Sequence, residues 1–241
     1  MNIYRIMSEF SKEDLIIKSA KIVTDILAMP YYKNYAAASG AVHNFAEHEE
    51  AVSAILNQNG IKQYTPFEKK PNKITVWDWI NNPMNATSMP HSTYISQPCG
   101  THDSPDFLVK LDEGVVFGIE CKSADGYSPM YNSGGIKQKI IYVFCSKRTN
   151  KTTMYVGKDI MTLEQQNLIT ELIQKQKVLE KEYNEKLKAV DINHRGISYG
   201  TRPAIQQAGG ETFTNYFIHA QREECEKNVL LFINDIIQGE T

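Results

Sequence analysis

The apolar positions near the start of the chain recur at helical spacing. After Ser11, a residue suited to cap a helix, the segment KEDLIIKSAKIVTDILAM carries a stripe made of Leu15, Ile16, Ile22, Val23, Ile26 and Leu27. Pro30 is incompatible with a continuing helix. The pattern therefore predicts one amphipathic helix that ends before Pro30.

A second helical pattern runs through residues 41–60 and contains one acid on its apolar face. Phe45, Val52 and Leu56 line that face, and Gly60 supplies the stop. At 100° per residue, Glu49 falls within about 40° of Phe45. A carboxylate on the core-facing side of a helix indicates a role other than packing.

Alternating apolar positions follow a stretch rich in loop-forming residues. Residues 64–104 contain five prolines and are interrupted by the short segment ITVWDWI. DFLVKL and VVFGIECKS then flank DEG, which predicts a β-hairpin that turns at Gly114. Because strand side chains alternate, Glu120 and Lys122 share one face of the second strand with Val116 and Gly118.

Two more strands and two helices complete the predicted order. KIIYVFCSK and TTMYVG are typical of strands, and TNYFIHAQREECEKNVLLFINDII is typical of a final helix. Within residues 162–190, apolar residues recur at intervals of three, four and seven positions. That helix fits an antiparallel hairpin arm, a dimer contact or a helix laid across the sheet. We expect a single α/β domain over residues 1–241, with a core at about 40–160 and a helical region at about 160–241.

Size and composition indicate an ordinary folded protein. The chain has 241 residues, 41% of them hydrophobic, which suffices for one substantial core. No apolar run is long enough to span a bilayer, and the first residues do not resemble a signal peptide. The four cysteines form no CxxC pair, which argues against a zinc ribbon or a disulfide scaffold. We expect no membrane partner and a cytoplasmic location.

Local charge is more informative than the net charge of −2. Residues 126–158 contain no Asp or Glu and hold six basic residues, namely Lys137, Lys139, Lys147, Arg148, Lys151 and Lys158. A positive surface beside a carboxylate cluster suits a polyanionic substrate. The alternative is a solvated face balanced by acids elsewhere in the fold.

The predicted hairpin brings acidic side chains onto neighbouring strands. Asp106 begins the first strand, and Glu120 lies near the end of the second. Two such carboxylates can converge on Mg²⁺, with the backbone carbonyl of Cys121 as a third ligand. Lys122 lies on the same face as Glu120 and can orient or deprotonate an attacking water. This set of groups is suited to phosphodiester hydrolysis.

These residues also resemble a known family. SPDF followed by GIECKS resembles the signature of the PD-(D/E)xK nucleases, carried here by Pro105, Asp106, Glu120 and Lys122. The resemblance implies a restriction-endonuclease-like core of mixed β-sheet flanked by helices, with an added helical and loop recognition region toward the C-terminus. It implies Mg²⁺ held by the Asp and the Glu, and a water assisted by the Lys. It also places Glu49 at the position of a further acid on the preceding helix.

Within that family the chain is similar to type II restriction endonucleases. The similarity implies sequence-specific cleavage of double-stranded DNA, as in restriction of foreign DNA in a prokaryotic cell. Cutting both strands of a short palindromic site fits a homodimer with two active sites, and monomers that nick the strands in turn are the alternative. The sequence lacks GxxxxGK[ST] and GxGxxG motifs, so no nucleotide cofactor is expected. Base reading needs Arg, Asn and Gln side chains. The candidate DNA-binding residues are Tyr127, Tyr131, Asn132, Lys137, Asn193, Arg195, Arg202, Gln206, Gln207 and Asn215.

Alternative interpretations remain open from the sequence. A structure-specific repair or junction-resolving nuclease would use the same core. A non-catalytic DNA-binding or scaffold protein would carry the same acids in a salt-bridged hairpin end. The short motif is itself common, since a second Glu-x-Lys triplet occurs at Glu68 and Lys70. That copy lies in a polar loop between prolines and has no preceding Pro-Asp, which favours the site at residues 105–122.

Overall fold

The computed structural model describes residues 10–31, 45–66, 70–101, 103–131, 135–201, 203–205 and 215–240. The helices in these ranges are α1 Lys12–Leu27, α2 Phe45–Gln58, α3 Lys73–Asn81, α4 Gly157–Ile160, α5 Leu163–Ala189 and α6 Arg222–Gln238. The strands are β1 Lys62–Gln63, β2 Thr93–Ser96, β3 Phe107–Asp112, β4 Val115–Ala124, β5 Ile140–Ser146 and β6 Lys151–Val156. Over the described ranges, no helix combines the length and apolar character that a bilayer crossing requires.

The six strands form one open sheet in sequence order from β1 to β6. The pairs β1/β2 and β4/β5 are parallel, whereas the other three pairs are antiparallel. Helices lie against this mixed sheet, so the predicted α/β class with a mixed, helix-flanked sheet is confirmed. The predicted hairpin is also present, with Phe107 opposite Ile119 in its register.

Each face of the sheet packs against its own set of elements. One face packs under α1, α2 and α6 and includes Val115, Phe117, Ile119 and Cys121 of β4. The opposite face packs against α3 and includes Val116 with a group of buried aromatic residues. The alternation predicted for β4 is therefore confirmed. Glu120 and Lys122 lie on the aromatic face at the end of the strand.

The first helix begins and ends where the sequence predicts. The Ser11 side chain accepts a hydrogen bond from the backbone N–H of Asp14, and the Asp14 side chain accepts from the backbone N–H of Ser11, which forms a capping box. The second helix buries Val52 and Leu56 in the core. Gly60, just after it, has a φ of +74°, which glycine adopts without strain. The side chain of Phe45 lies outside the described part of the chain.

Three elements between residues 62 and 96 are absent from the sequence-based prediction. ITVWDWI belongs to α3, a helix that the Asn72 side chain caps by accepting from the N–H of Thr75. β1 and β2 are two and four residues long, too short to show a periodic pattern. These two strands extend the sheet on the β3 side of the hairpin. Gln97 follows directly after β2.

The long helix α5 does not lie across the sheet. It has 27 residues, all of them described, and none is buried. Residues 191–201 fold back along it, because Asn184 exchanges two hydrogen bonds with the backbone of Tyr199, and Glu180 accepts two from Thr201. The interpretation as a helix packed on the sheet is therefore wrong, and the arrangement is an arm with a returning segment.

The final helix is shorter than its pattern predicts. It begins at Arg222, and the described residues just before it form turns. The Asn215 side chain accepts a hydrogen bond from the N–H of Phe217, and the rings of Tyr216 and Phe217 pack against Phe144. Burial of these two rings in the aromatic face bends the chain away from a helical path.

Candidate active site

The hairpin carries an acid at the point where its two strands separate. The ladder between β3 and β4 ends at the pair Phe107 and Ile119. Beyond that pair, Oδ2 of Asp106 accepts a hydrogen bond from the backbone N–H of Cys121 at 2.7 Å. The Asp106 carboxylate thus takes the place of the backbone carbonyl that β3 would supply if it continued. This hydrogen bond fixes the carboxylate beside β4.

The next acid lies on β4 itself. Glu120 is buried, and its Oε1 accepts a hydrogen bond from Nζ of Lys122 at 2.5 Å. The Lys122 side chain is 16% exposed, so it is only partly buried while its ammonium group contacts Glu120. Oε2 of Glu120 is buried and has no hydrogen-bond partner among the described residues. A buried carboxylate oxygen without a donor is costly and suits a cation ligand.

A third acid approaches from helix α2. Glu49 is half-buried, and its Oε2 accepts a hydrogen bond from Nε2 of Gln97 at 3.0 Å. Its charge interacts with those of Asp106, Glu120 and Lys122, so all four groups occupy one region. The structure therefore brings together the four residues that the sequence proposed as catalytic. Two of them come from β4, one precedes β3 and one lies on α2.

The electrostatics of this region favour a positive charge. Burial, together with the nearby charges of Glu120 and Glu49, raises the pKa of Asp106 to about 8, despite the opposing effects of the Cys121 N–H and Lys122. Burial also raises the pKa of Glu49, and the hydrogen bond from Gln97 opposes that shift. The like charges of three carboxyl groups beside one lysine oppose ionisation of Asp106, and a bound cation would offset that repulsion.

The residues fit a hard divalent cation in their chemistry. Carboxylate oxygens are the ligands that Mg²⁺ prefers, and Oε2 of Glu120 is buried without a donor. Within the described ranges, however, no three His, Cys, Asp or Glu side chains are already gathered as a metal cluster. Asp106, Glu49 and Glu120 each direct one oxygen to a protein donor, namely the Cys121 N–H, Gln97 and Lys122. Such bonds reduce the repulsion among carboxylates.

A basic groove lies next to the acids. It has a volume of about 390 Å³, and its lining includes Ser104, two residues before Asp106, together with Lys73, Lys137 and Lys139. Lys73 forms an ion pair with Asp103 at 2.6 Å. Lys137 is half-buried, and burial together with the charge of Lys73 lowers its pKa, against the charges of Asp103 and Glu120. An anion in this groove would meet several ammonium groups near the acidic cluster.

Further positive charge lies at the same end of the sheet. Because β4 and β5 are parallel, their carboxyl ends meet at one edge. The turn after β5 exposes Lys147 and Arg148, and the Lys147 N–H donates to the carbonyl of Ala124 at the end of β4. Arg148 also lies over the ring of Tyr127, with 5.3 Å from its guanidinium carbon to the ring centroid. Basic residues thus flank the acids on the β5 side.

The predicted DNA-binding residues are distributed over several surfaces. Tyr127 is exposed beside Arg148, and Lys137 lines the groove. Asn193 and Arg195 are exposed in the segment that follows α5, where the Asp191 carboxylate accepts from the Arg195 N–H. Asn215 is half-buried and is engaged in the turn before α6. The described residues do not include Asn132, Arg202, Gln206 and Gln207.

Tyr131 requires a correction. Its side chain has no exposed surface, and its hydroxyl forms hydrogen bonds with the hydroxyls of Tyr155 and Tyr216 at 2.7 and 2.8 Å. Its ring also packs edge-on against Tyr142. The prediction that this side chain contacts DNA is therefore wrong, because core packing and a tyrosine hydrogen-bond network occupy it.

Three residues of the site lack a sequence signal. Gln97 holds Glu49, and the ion pair of Lys73 with Asp103 lies at the groove. Each comes from a loop or a helix far along the chain from its partner, and no short motif links them. Only the topology of the sheet, which places the end of β2 beside Asp106, brings Gln97 to the site, where its N–H donates to the Asp106 carbonyl.

Comparisons of the chain with protein-family models, with curated proteins and with solved structures return no match. The functional argument for these residues therefore rests on their geometry and charge.

Proposed function

We propose that the chain is a Mg²⁺-dependent endonuclease that hydrolyses double-stranded DNA at a short recognition site, in the manner of type II restriction enzymes. The observation that carries this proposal is the arrangement of Glu120. One oxygen of its buried carboxylate is held by Lys122, and the other has no donor among the described residues, beside Asp106 and Glu49. An ion pair with a purely structural role would need only the contact between Glu120 and Lys122, and it would leave the buried oxygen without a donor unexplained.

Each residue has a distinct role in the proposed reaction. Asp106 and Glu120 would hold the cation, with the Cys121 carbonyl between them on β4 as a further oxygen ligand. Glu49 adds negative charge from α2, and Gln97 restricts its orientation. A bound Mg²⁺ supplies charge stabilisation at the phosphate and lowers the pKa of a coordinated water. The carboxylates thereby position the reacting groups rather than act as nucleophiles.

Lys122 is placed to act on the attacking water. Its ammonium group is held by Glu120 at the end of β4, where the side chain remains partly exposed. A donor at this position can orient a water against the phosphorus and can stabilise the charge that develops on the phosphate oxygens. The ion pair fixes the lysine in the same small region as the carboxylates, which reduces the entropy lost on forming the reactive arrangement.

The charge around the acids favours a polyanion as substrate. Lys73, Lys137 and Lys139 line the groove next to the acids, and Lys147 and Arg148 are exposed in the turn after β5. Phosphate contacts from lysines supply affinity without sequence preference. Sequence reading would fall to the segment at residues 193–215, and Tyr127, exposed beside Arg148, would contact phosphates near the scissile bond. Cleavage of both strands calls for two such sites, which a homodimer supplies.

The direct experiment is incubation of purified protein with plasmid and linear bacteriophage DNA in Mg²⁺, and separately in EDTA. The proposal predicts discrete fragments in Mg²⁺ and intact DNA in EDTA. A parallel reaction with four-way junctions and flap substrates distinguishes a structure-specific nuclease, which would cut those substrates and leave the linear duplex intact.

Two results would contradict the proposal. Cutting that persists unchanged in EDTA would remove the role of the cation. A protein that binds DNA but leaves every substrate intact in Mg²⁺ or Mn²⁺ would assign the acids to a non-catalytic scaffold.

A further inference from the structure

Helix α5 exposes an apolar stripe along its length. Leu168, Leu172, Leu179, Tyr183 and Val190, the last just past the helix end, are each between 54% and 70% exposed. At 100° per residue they fall within about 60° of one another. The helix is about 40 Å long at 1.5 Å per residue. An apolar face of this length on a monomer marks an interaction surface.

The chain's own returning segment lies on a different side of α5. Residues 199–201 bond to Glu180 and Asn184, which lie about 100–140° around the helix from Leu179. The same side carries Ile169, which packs toward the aromatic core. The returning segment therefore leaves the leucine stripe uncovered.

The charge of α5 does not suit a nucleic acid. Between Leu163 and Ala189 the helix holds five Glu and five Lys, so its formal net charge is zero. DNA-binding surfaces concentrate Lys and Arg on one face. A partner of balanced charge fits this helix better than a duplex.

The charged residues beside the stripe are complementary to the same residues of a second, antiparallel copy of the helix. Two pairs occur within the helix, Lys175 with Glu171 and Lys186 with Glu182, both at 2.5 Å. They lie on one flank of the stripe and are symmetric about a point between Val178 and Leu179. In an antiparallel pair of such helices, Glu171 meets the partner's Lys186, and Lys175 meets the partner's Glu182. Residues on the same flank face each other in antiparallel pairs, so both contacts are geometrically compatible.

Leu168, Leu179 and Val190 fit nearly the same symmetry, whose centre differs from that of the charges by half a residue, or about 0.8 Å along the helix. A two-fold axis at Leu179 places this leucine against the partner's Leu179, and it places Leu168 against the partner's Val190. In a parallel arrangement in register, the flank that carries these four charges would lie on the opposite side of the interface from the same flank of the partner, so neither charge contact between the helices could form. Charge and shape therefore select the antiparallel orientation.

We infer that α5 is a homodimerisation arm, which pairs antiparallel with α5 of a second copy of this chain about a two-fold axis at Leu179. The interface is isologous, as a two-fold dimer requires. This inference concerns the oligomeric state of the protein and does not depend on the nuclease chemistry. If the proposed function holds, the two copies would supply one acidic site for each DNA strand.

Cysteine cross-linking tests the position of the axis. In Leu179→Cys the two introduced thiols lie at the axis, within the roughly 7 Å between Cα atoms that a disulfide permits. Lys177→Cys is the matched control, because residue 177 is exposed at the same level but about 160° around the helix. Mild oxidation should cross-link Leu179→Cys into a covalent dimer and leave Lys177→Cys and the wild-type chain uncross-linked.

Charge variants test the orientation through the mass measured by sedimentation equilibrium. The wild-type chain should sediment at twice its chain mass of 27.4 kDa. The double variant Glu171→Lys/Glu182→Lys places lysines opposite lysines and should raise the dissociation constant at least about tenfold. The further exchanges Lys175→Glu and Lys186→Glu restore opposite charges, so the quadruple variant should dimerise nearly as well as wild type. Circular dichroism checks that each variant retains its helices.

Four results would overturn the inference. These are a wild-type chain that stays monomeric at about 100 µM, equal cross-linking of the two cysteine variants, a dimer unaffected by the charge changes, and a quadruple variant that stays as weak as the double variant. Since DNA cleavage is measured separately, failure of the dimer and failure of the nuclease are distinguishable.

Discussion

Asp106 accepts a hydrogen bond from the backbone N–H of Cys121 through Oδ2, at 2.7 Å, just where β3 and β4 cease to pair. This contact ties a charged side chain to the strand that carries Glu120 and Lys122. It places Asp106 in one region with Glu49, Glu120 and a single lysine, Lys122, at an electrostatic cost that the fold alone does not offset. Much of the behaviour expected of the protein follows from that cost.

Replacing Asp106 should stabilise the metal-free protein at alkaline pH. The pKa of Asp106 is about 8 in the fold, above its ordinary value of 3.8. The folded state then binds the proton more tightly than the unfolded state, so stability is lost as the pH rises from about 4 to 8. Asp106→Asn keeps an acceptor for the Cys121 N–H and does not titrate.

The measurement is thermal unfolding in EDTA at several pH values. The melting temperature of Asp106→Asn should exceed that of wild type by about 2–4 °C at pH 8, equivalent to ~1 kcal/mol, and the difference should shrink by pH 5. Addition of Mg²⁺ should raise the wild-type melting temperature and leave the variant unchanged. A variant less stable than wild type at pH 8 in EDTA would contradict this account.

Gln97 should act on the cation through Glu49. Its amide holds Oε2 of Glu49 at 3.0 Å, and loss of such a supporting hydrogen bond typically weakens metal binding about 10–100-fold. Gln97→Met removes the donor at similar length. Titration calorimetry with Mn²⁺ should show the weakened affinity, whereas Gln63→Ala, an exposed glutamine on β1, should bind as wild type. Equal affinity in the two variants would remove Glu49 from the cation site.

Lys137 should contribute phosphate affinity without sequence preference. Lys137→Ala is expected to weaken binding of any duplex to a similar extent and to reduce the slope of log K against log salt by about one. Lys62→Ala, at an exposed position on β1, is the control. Fluorescence anisotropy in EDTA at several salt concentrations measures both constants. A loss confined to one DNA sequence would indicate base reading instead.

Gly157 should be required for the position of the groove. A Cβ built on it lies 1.9 Å from the carbonyl oxygen of Lys137, so Gly157→Ala must displace the backbone of the lysine segment. Overpacking of this kind costs about 1–3 kcal/mol of unfolding free energy. Gly126→Ala meets nothing within 4 Å and should be close to neutral. Urea unfolding compares the two, and a neutral Gly157→Ala would show that the segment tolerates displacement.

Local patterns in the sequence predict the parts of the fold that depend on them. The capping box at Ser11 and the alternation along β4 each lie within a few residues, so helix α1 and the two faces of β4 follow directly. The acid on α2 is also identified, because Glu49 interrupts an apolar stripe. These features place three of the four proposed catalytic residues on defined elements.

Features that depend on tertiary contacts do not follow from the sequence. β-branched and aromatic residues in ITVWDWI favour a strand, yet the segment is helical because Asn72 caps it and Val76, Trp79 and Ile80 pack together. Tyr131 follows a polar loop, and only the hydroxyl network with Tyr155 and Tyr216 explains its burial. The role of Gln97 depends on the pairing of β2 with β3, which no pattern in a four-residue strand can indicate.

The most direct measurement is the single-turnover rate of plasmid cleavage in saturating Mg²⁺ for Glu120→Gln, with Glu113→Gln as control. Glu113 is exposed in the turn of the same hairpin, so its loss leaves the site intact. The proposed function predicts that Glu120→Gln cleaves at least about a thousandfold more slowly, equivalent to ~4 kcal/mol at the transition state, while it binds DNA as tightly as wild type. Cleavage by Glu120→Gln at the rate of Glu113→Gln would contradict the central claim.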